Sequence, residues 1–188
     1  ELIRDDRKRW ILATKAGYPL PSDEKGPRLS RDRILKKFES SLERLGTEYV
    51  DIYYLHVIDP QTTIAETVRT MGEVVESGRA RCWGFSNYYA WQIAEMIRIC
   101  DLEGIPRPVI AQTHYNIFKR YPEREYLPAC EHFDISVIGY SPLARGVLTG
   151  KYQPGTPPPT ESRKSLETTF TMKSEYHPES LELAQKIK

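Results

Sequence analysis

One recurring unit constrains the fold more than anything else in the chain. A strand-length apolar run ends on a chemically active polar residue, and a helix-period segment closed by glycine follows. Its clearest copy is Glu48-Tyr49-Val50-Asp51-Ile52-Tyr53-Tyr54-Leu55-His56, β-branched and aromatic and ending on a single histidine. Gly46 closes the helical segment before it, and Asp59-Pro60 breaks the chain after it. A strand between two helices with an ionisable residue at its exit is the unit of a βα fold, where chemistry gathers at the carboxyl ends of the strands.

The other copies follow in order. Trp10 to Lys15 reads as a strand apolar enough to be covered on both faces, and a polar loop runs from Tyr18 to Leu29. Ser30 is a good N-cap, and Ile34, Leu35, Phe38, Leu42 and Leu45 give one apolar stripe up to Gly46. Thr63-Ile64-Ala65-Glu66 matches a capping box before a helix that Gly78 ends. Ala80 to Phe85 is a strand leading into Ser86-Asn87, and the next helix carries Ile93, Met96, Ile97 and Cys100 on one face. Val109 to Tyr115 is a strand with Gln112 and His114 on one face. A short helix from about Glu123 to Phe133 precedes a strand from Ile135 to Tyr140. From Gln153 to Met172 the chain is proline-rich and aperiodic, which predicts a mobile loop. Residues 177–188 open a helix at Pro178 that stops in its second turn, so the chain reads as one partial domain over 1–188.

Composition narrows the function classes. The formal charge is +1 across 188 residues, with no basic excess to serve a nucleic acid. No apolar run approaches a membrane span and no secretory segment follows Glu1, so the cytoplasm is the expected location. Cys82, Cys100 and Cys130 share no ligand spacing with histidine, which predicts buried thiols and no metal.

Alternating strands and helices fit either a doubly wound sheet or part of a (β/α)₈ barrel, and length alone favours the open sheet because the barrel takes ~250 residues. The strand exits carry Lys15, His56, Ser86-Asn87, Gln112 and Tyr140-Ser141. Each has an ordinary reading: a solvated lysine, a satisfied histidine, a helix N-cap, a core tyrosine. What raises them together is their position at one end of consecutive strands, where structural accidents would scatter over both ends.

The segments Ala13-Thr14-Lys15, Tyr49-Val50-Asp51 through Leu55-His56, Gly84-Phe85-Ser86-Asn87-Tyr88, Gln112 with Tyr115-Asn116, and Tyr140-Ser141-Pro142-Leu143 with Gly146 and Leu148-Thr149-Gly150-Lys151-Tyr152 resemble the aldo-keto reductase family. The style is similar to the bacterial, fungal and plant members and to the potassium-channel β-subunit branch. The resemblance implies a (β/α)₈ TIM barrel, with about five of the eight βα units in this chain. It implies NADP(H) as cofactor and a small aldehyde or ketone as substrate. Lys15 would lower the pKa of a proton-donating tyrosine, and His56 would orient the carbonyl oxygen. Ser86, Asn87 and Gln112 would hold the nicotinamide carboxamide, and Tyr140 would stack on the ring. Ser141, Leu143, Arg145, Gly146 and Lys151 would form the pyrophosphate clasp.

The family's proton-donating tyrosine and its aspartate belong to strands that would precede Glu1, so the chain is expected to be an internal fragment. Its open sheet edges predict aggregation or homo-oligomerisation when it is expressed alone. His114 stands where many members carry an acidic residue, and a satisfied polar group is the expected reading. The rival functions are a cofactor-sensing regulatory subunit of the channel β type, and a phosphate-binding barrel enzyme of another class.

Overall fold

The computed structural model describes residues 6–18, 26–166 and 175–187. Five strands, β1 (Ala13–Ala16), β2 (Val50–Leu55), β3 (Ala80–Ser86), β4 (Ile110–His114) and β5 (Ser136–Tyr140), form one sheet in chain order. β1 pairs with β2, β2 with β3 and β3 with β4, each in parallel. The helices α1 (Arg31–Leu45), α2 (Ile64–Glu76), α3 (Ala90–Glu103) and α4 (Tyr126–His132) alternate with the strands, and α5 (Pro178–Ile187) follows. Sequential strand order with helical crossovers is the topology of a partial (β/α)₈ barrel and excludes the doubly wound order, which reverses at a switch point.

The chain divides into two compact units, one of residues 1–113 with 124–138 and one of 114–123 with 139–188. In the first, the period-two alternation of each strand separates two chemistries. Tyr53, Leu55, Trp83 and Phe85 are fully buried in the helix-covered core with Ile34, Phe38, Val68, Met71, Ile93 and Met96. Tyr53 donates from its hydroxyl to the Ile34 carbonyl at 3.1 Å, and its ring meets Phe38 at 4.6 Å. A phenol sealed in such a core needs that acceptor, and burial raises its pKa above the ordinary 10.0. Trp83 likewise donates its indole N–H to the Pro106 carbonyl at 2.6 Å.

At the amino ends of the strands Asp51 ties β1 to β2. Its carboxylate accepts from the Leu12 backbone N–H at 2.8 Å, from Arg7 at 2.9 Å and from Arg81 at 2.9 Å. The two guanidinium groups also flank the Tyr49 ring, 4.0 Å and 5.0 Å from its centroid.

Helix starts agree with the sequence only in part. Gly46 closes α1 in the left-handed region at φ 63°, the conformation glycine adopts without penalty. Ser30 is the N-cap of α1 but makes no side-chain cap bond; its hydroxyl turns to the Pro27 carbonyl. Half of the expected capping box forms: Thr63 accepts from the Glu66 N–H at 3.2 Å. The Glu66 carboxylate does not return to Thr63; it accepts from the backbone N–H of Arg31, in the first turn of α1, at 3.0 Å. α3 begins at Ala90 with Tyr89 as N-cap, so Ser86 and Asn87 lie upstream of the cap. Leu29, just before α1, is buried, and Asp59 accepts from its backbone N–H at 2.9 Å.

In the second unit, Ala144, Val147 and Tyr152 pack with Leu181 and Ala184 of α5, which starts with Pro178 at its first helical position as expected. A kinked turn over Ala144–Thr149, broken by non-helical Arg145 and Gly146, follows β5, and the sequence did not signal it. Residues 153–166 hold turns and bends without helix or strand, while 167–172 of the expected mobile loop lie outside the described residues. No helix among the described residues is long and apolar enough to cross a membrane. The three cysteines are free thiols; Cys100 and Cys130 are buried as expected, whereas Cys82 is only half-buried because it faces away from the helices.

Candidate functional site

In the first unit the expected residues share the sheet face turned away from the helices. The face is identified by Gly84: a Cβ there would lie 3.0 Å from Tyr54 Cε1 and 2.7 Å from Ile110 Cγ2. Tyr54, Gly84 and Ile110 therefore line the same side, and the two-residue period adds Ser86 and Gln112. Lys15 joins them from β1, its Nζ 5.0 Å from the centroid of the Tyr54 ring.

At the carboxyl ends these residues are stitched together. His56 follows β2, and its backbone N–H donates to the Ala16 carbonyl at 2.8 Å, next to Lys15. The Asn87 amide donates to the His56 carbonyl at 3.0 Å and to the Ser86 hydroxyl at 2.9 Å. Ser86 and Gln112 are register partners across β3 and β4. Asn87 holds this position in the left-handed region at φ 63°, which asparagine tolerates better than most residues. Lys15, His56, Ser86, Asn87 and Gln112 thus occupy one rim.

The electrostatics of this rim are those of a partly dehydrated cation beside an imidazole. Burial pushes the Lys15 ammonium below its usual pKa. Burial also lowers the pKa of His56, and the Lys15 charge lowers it further. His56 is therefore a neutral imidazole at neutral pH, able to donate from one nitrogen and accept at the other. Tyr18 packs its ring on His56 with centroids 4.8 Å apart, a contact that the loop composition did not signal.

In the second unit the expected residues cluster around the turn after β5. Tyr140 ends the strand with one face stacked on His114, at 4.9 Å and 10°. Ser141 sits at φ 52°, and its carbonyl accepts from the Asn116 amide at 2.9 Å. Ala144, Arg145 and Gly146 then take φ values of 46°, 54° and 99° in succession. The Ala144 and Gly146 N–H groups are taken up inside this turn, donating to the Ser141 and Leu143 carbonyls at 2.9 Å each. Leu143 is exposed beside it. A Cβ on Gly146 would come within 3.3 Å of Lys151 Nζ, so the missing side chain lets the ammonium approach the backbone.

One residue in this unit escaped the sequence reading. Glu175 is fully buried, with Oε1 2.8 Å from His114 Nε2 and Oε2 3.4 Å from Arg145 Nη1. Arg145 is thereby engaged by a carboxylate, where the resemblance implied a phosphate contact. His114 is a satisfied polar group, as expected: burial lowers its pKa, the Glu175 carboxylate resists, and Arg145 and Lys119 push it down further. Asn116, which accepts from the Phe118 and Lys119 N–H groups at 2.9 Å and 3.1 Å, fixes the turn that holds Ser141.

The chain is 42% identical over 164 residues to a probable voltage-gated potassium channel subunit beta of Arabidopsis thaliana, covering 86% of this chain and 49% of the relative. It is 38% identical to aflatoxin B1 aldehyde reductase member 2 of Mus musculus, over 76% of this chain and 37% of the relative. It is 35% identical to L-glyceraldehyde 3-phosphate reductase of Escherichia coli O157:H7, over 83% of this chain and 46% of the relative. The chain spans about half the length of the potassium channel β-subunit relatives it matches. The sequence profile of the aldo/keto reductase family matches residues 1–188, and with the sequential βα order and the residues at the strand exits, the chain belongs to that family.

Proposed function

We propose that the protein is an NADP(H)-dependent carbonyl reductase that interconverts an aldehyde or ketone and its alcohol. The observation that carries the reading is the rim at which Lys15, the neutral His56, Ser86, Asn87 and Gln112 occupy neighbouring strand exits. The residues suit a nicotinamide nucleotide by their donor chemistry. A buried hydroxyl and two amides match a carboxamide's one acceptor and two donors, and the Lys151 ammonium beside the turn at Gly146 suits a phosphate.

The cofactor supplies the hydride; the chain supplies orientation and charge. His56 donates a hydrogen bond to the carbonyl oxygen and stabilises the alkoxide that develops there. Lys15 places a cation where a phenol would be drawn toward its phenolate, bringing a proton donor within reach of neutral pH. Ser86, Asn87 and Gln112 would hold the nicotinamide carboxamide. The resemblance implies that Tyr140 would stack on the ring and that Ser141, Leu143, Gly146 and Lys151 would clasp the phosphates, with Arg145 joining them only if it left Glu175. The preference for the 2′-phosphorylated cofactor and a cytoplasmic setting belong to this proposal, as does association into homo-oligomers.

The test is steady-state oxidation of NADPH by the intact protein with a simple aldehyde. Turnover lost in Lys15→Met and His56→Ala with cofactor binding retained supports the reading. Turnover unchanged in both variants overturns it. A second reading, a regulatory subunit that senses cofactor occupancy, is favoured by the 42% identity to a relative named as a channel β subunit. It predicts saturable NADPH binding with about one turnover per bound cofactor, whereas the reductase cycles many times.

A further inference from the structure

We propose that Tyr54 is the positioning residue for Lys15: the face of its ring holds the lysine ammonium and so fixes where that cation stands beside His56. The inference rests on the reductase reading for its catalytic consequence, but not for the contact itself. Lys15 and Tyr54 are register partners on β1 and β2, so the lysine stem and the ring leave the sheet side by side. The Nζ atom lies 5.0 Å from the ring centroid, within the range over which an aromatic quadrupole attracts a cation. Tyr54 is only 2% exposed although it lies on the face away from the helices, so the attraction acts where water screens it little.

The surrounding charges make the ring matter more. Burial alone acts on the pKa of Lys15; among the described residues no carboxylate supports its charge. Its other titratable neighbour, just after β2, is His56, whose pKa the Lys15 charge lowers and which gains nothing from the cation. From β3 the half-buried Cys82 acts on Tyr54 and raises its phenol pKa after burial has done so, which keeps the ring neutral. Among the described residues the Tyr54 ring is a group that attracts the ammonium. Space for it is built into the sheet, since Gly84 has no Cβ to push against Tyr54 Cε1.

The role makes Tyr54 distinct from a core tyrosine such as Tyr53, whose hydroxyl is its working end. For Tyr54 the ring face is the working surface, so phenylalanine should replace it and an aliphatic residue should not. Graded fluorination then removes the quadrupole while keeping the shape.

In the intact protein, position 54 is replaced by phenylalanine and by mono-, di- and trifluorinated phenylalanine, with Tyr54→Leu as the ringless variant. The Lys15 ionisation is followed by NMR of labelled lysine, assigned with Lys15→Met, and kcat and KM are measured with NADPH and an aldehyde. The expected result is a Lys15 pKa that is kept by phenylalanine and falls stepwise with fluorination, by about tenfold in the ammonium-to-amine ratio over the series. kcat should fall in parallel while KM for the cofactor stays constant. A Lys15 pKa that is the same in every fluorinated variant overturns the inference, and these variants decide it even if Tyr54→Leu does not fold. A pKa that follows the ring while turnover ignores Lys15 supports the contact and counts against the reductase reading instead.

Discussion

The side-chain amide of Asn87 donates to the backbone carbonyl of His56 at 3.0 Å, so the residue after β3 holds the residue after β2 in place. The same amide reaches the Ser86 hydroxyl, and the backbone at Asn87 is left-handed. Replacing Asn87 with aspartate keeps a short side chain but removes the donor and adds a negative charge facing a carbonyl. Asn87→Asp is expected to cost about 1–3 kcal/mol of stability and to weaken NADPH binding about tenfold or more. Chemical denaturation and fluorescence titration check the two effects separately.

His56 and His114 both have pKa values held below the ordinary 6.5, in each case first by burial. Above 6.5 both are neutral in the folded and unfolded chain and cost nothing. As the pH falls below 6.5, the unfolded chain takes up protons first, so stability declines until the folded pKa values are passed. The denaturation midpoint should therefore drop between pH 7 and pH 5, and His56→Gln should flatten part of that slope. A midpoint independent of pH over this range contradicts the assignment.

Glu175 is the carboxylate that keeps the His114 pKa from falling further. Glu175→Gln should therefore move the His114 titration to lower pH, which NMR of the imidazole protons reads directly. The variant also releases Arg145 from its buried partner. If Arg145 then turns to the nucleotide, NADPH binding tightens and becomes more sensitive to salt.

Gly84 leaves no room for a side chain. A Cβ would stand 2.2 Å from the Ile110 carbonyl oxygen, which is backbone and cannot swing away. Gly84→Ala should cost about 1–3 kcal/mol, the range for overpacking a closed site. It should also disturb the Tyr54 ring and with it Lys15, so a loss of kcat is expected even at temperatures where the variant is folded.

Asp51 is the anchor at the opposite end of the strands. Asp51→Asn keeps the shape but deprives Arg7 and Arg81 of their partner, and about 1.5–3 kcal/mol of stability should be lost, mostly through Arg7 and the Leu12 N–H. Because the site lies at the other end, the residual folded protein should bind NADPH with unchanged affinity.

The alternation of strands and helices was legible because each β-branched or aromatic run ends on a turn-forming residue, and each helix shows a single apolar stripe. Gly46 and Pro178 announced their positions through backbone preferences that belong to the residue alone. Strand ends were less legible: β1 spans Ala13–Ala16, where the apolar pattern suggested Trp10 to Lys15, because hydrogen bonding to β2 sets the strand's limits. The rim residues could be found because they stand at the ends of periodic runs. Glu175 and Tyr18 could not, since each acquires its role from a contact with a residue dozens of positions away. Tyr54 was visible only as one more aromatic in a strand; its spacing of two from His56 was the available signal.

The Glu66 carboxylate that accepts from the Arg31 N–H belongs to α2 by sequence and caps α1 by geometry. Two successive βα units therefore share one hydrogen-bond acceptor, and the first turn of the earlier helix is completed only when the later helix has arrived. Neighbouring repeats are thus interlocked at the end where chemistry is placed. A unit could not be excised, duplicated or shifted by a turn without leaving its neighbour's helix start unsatisfied.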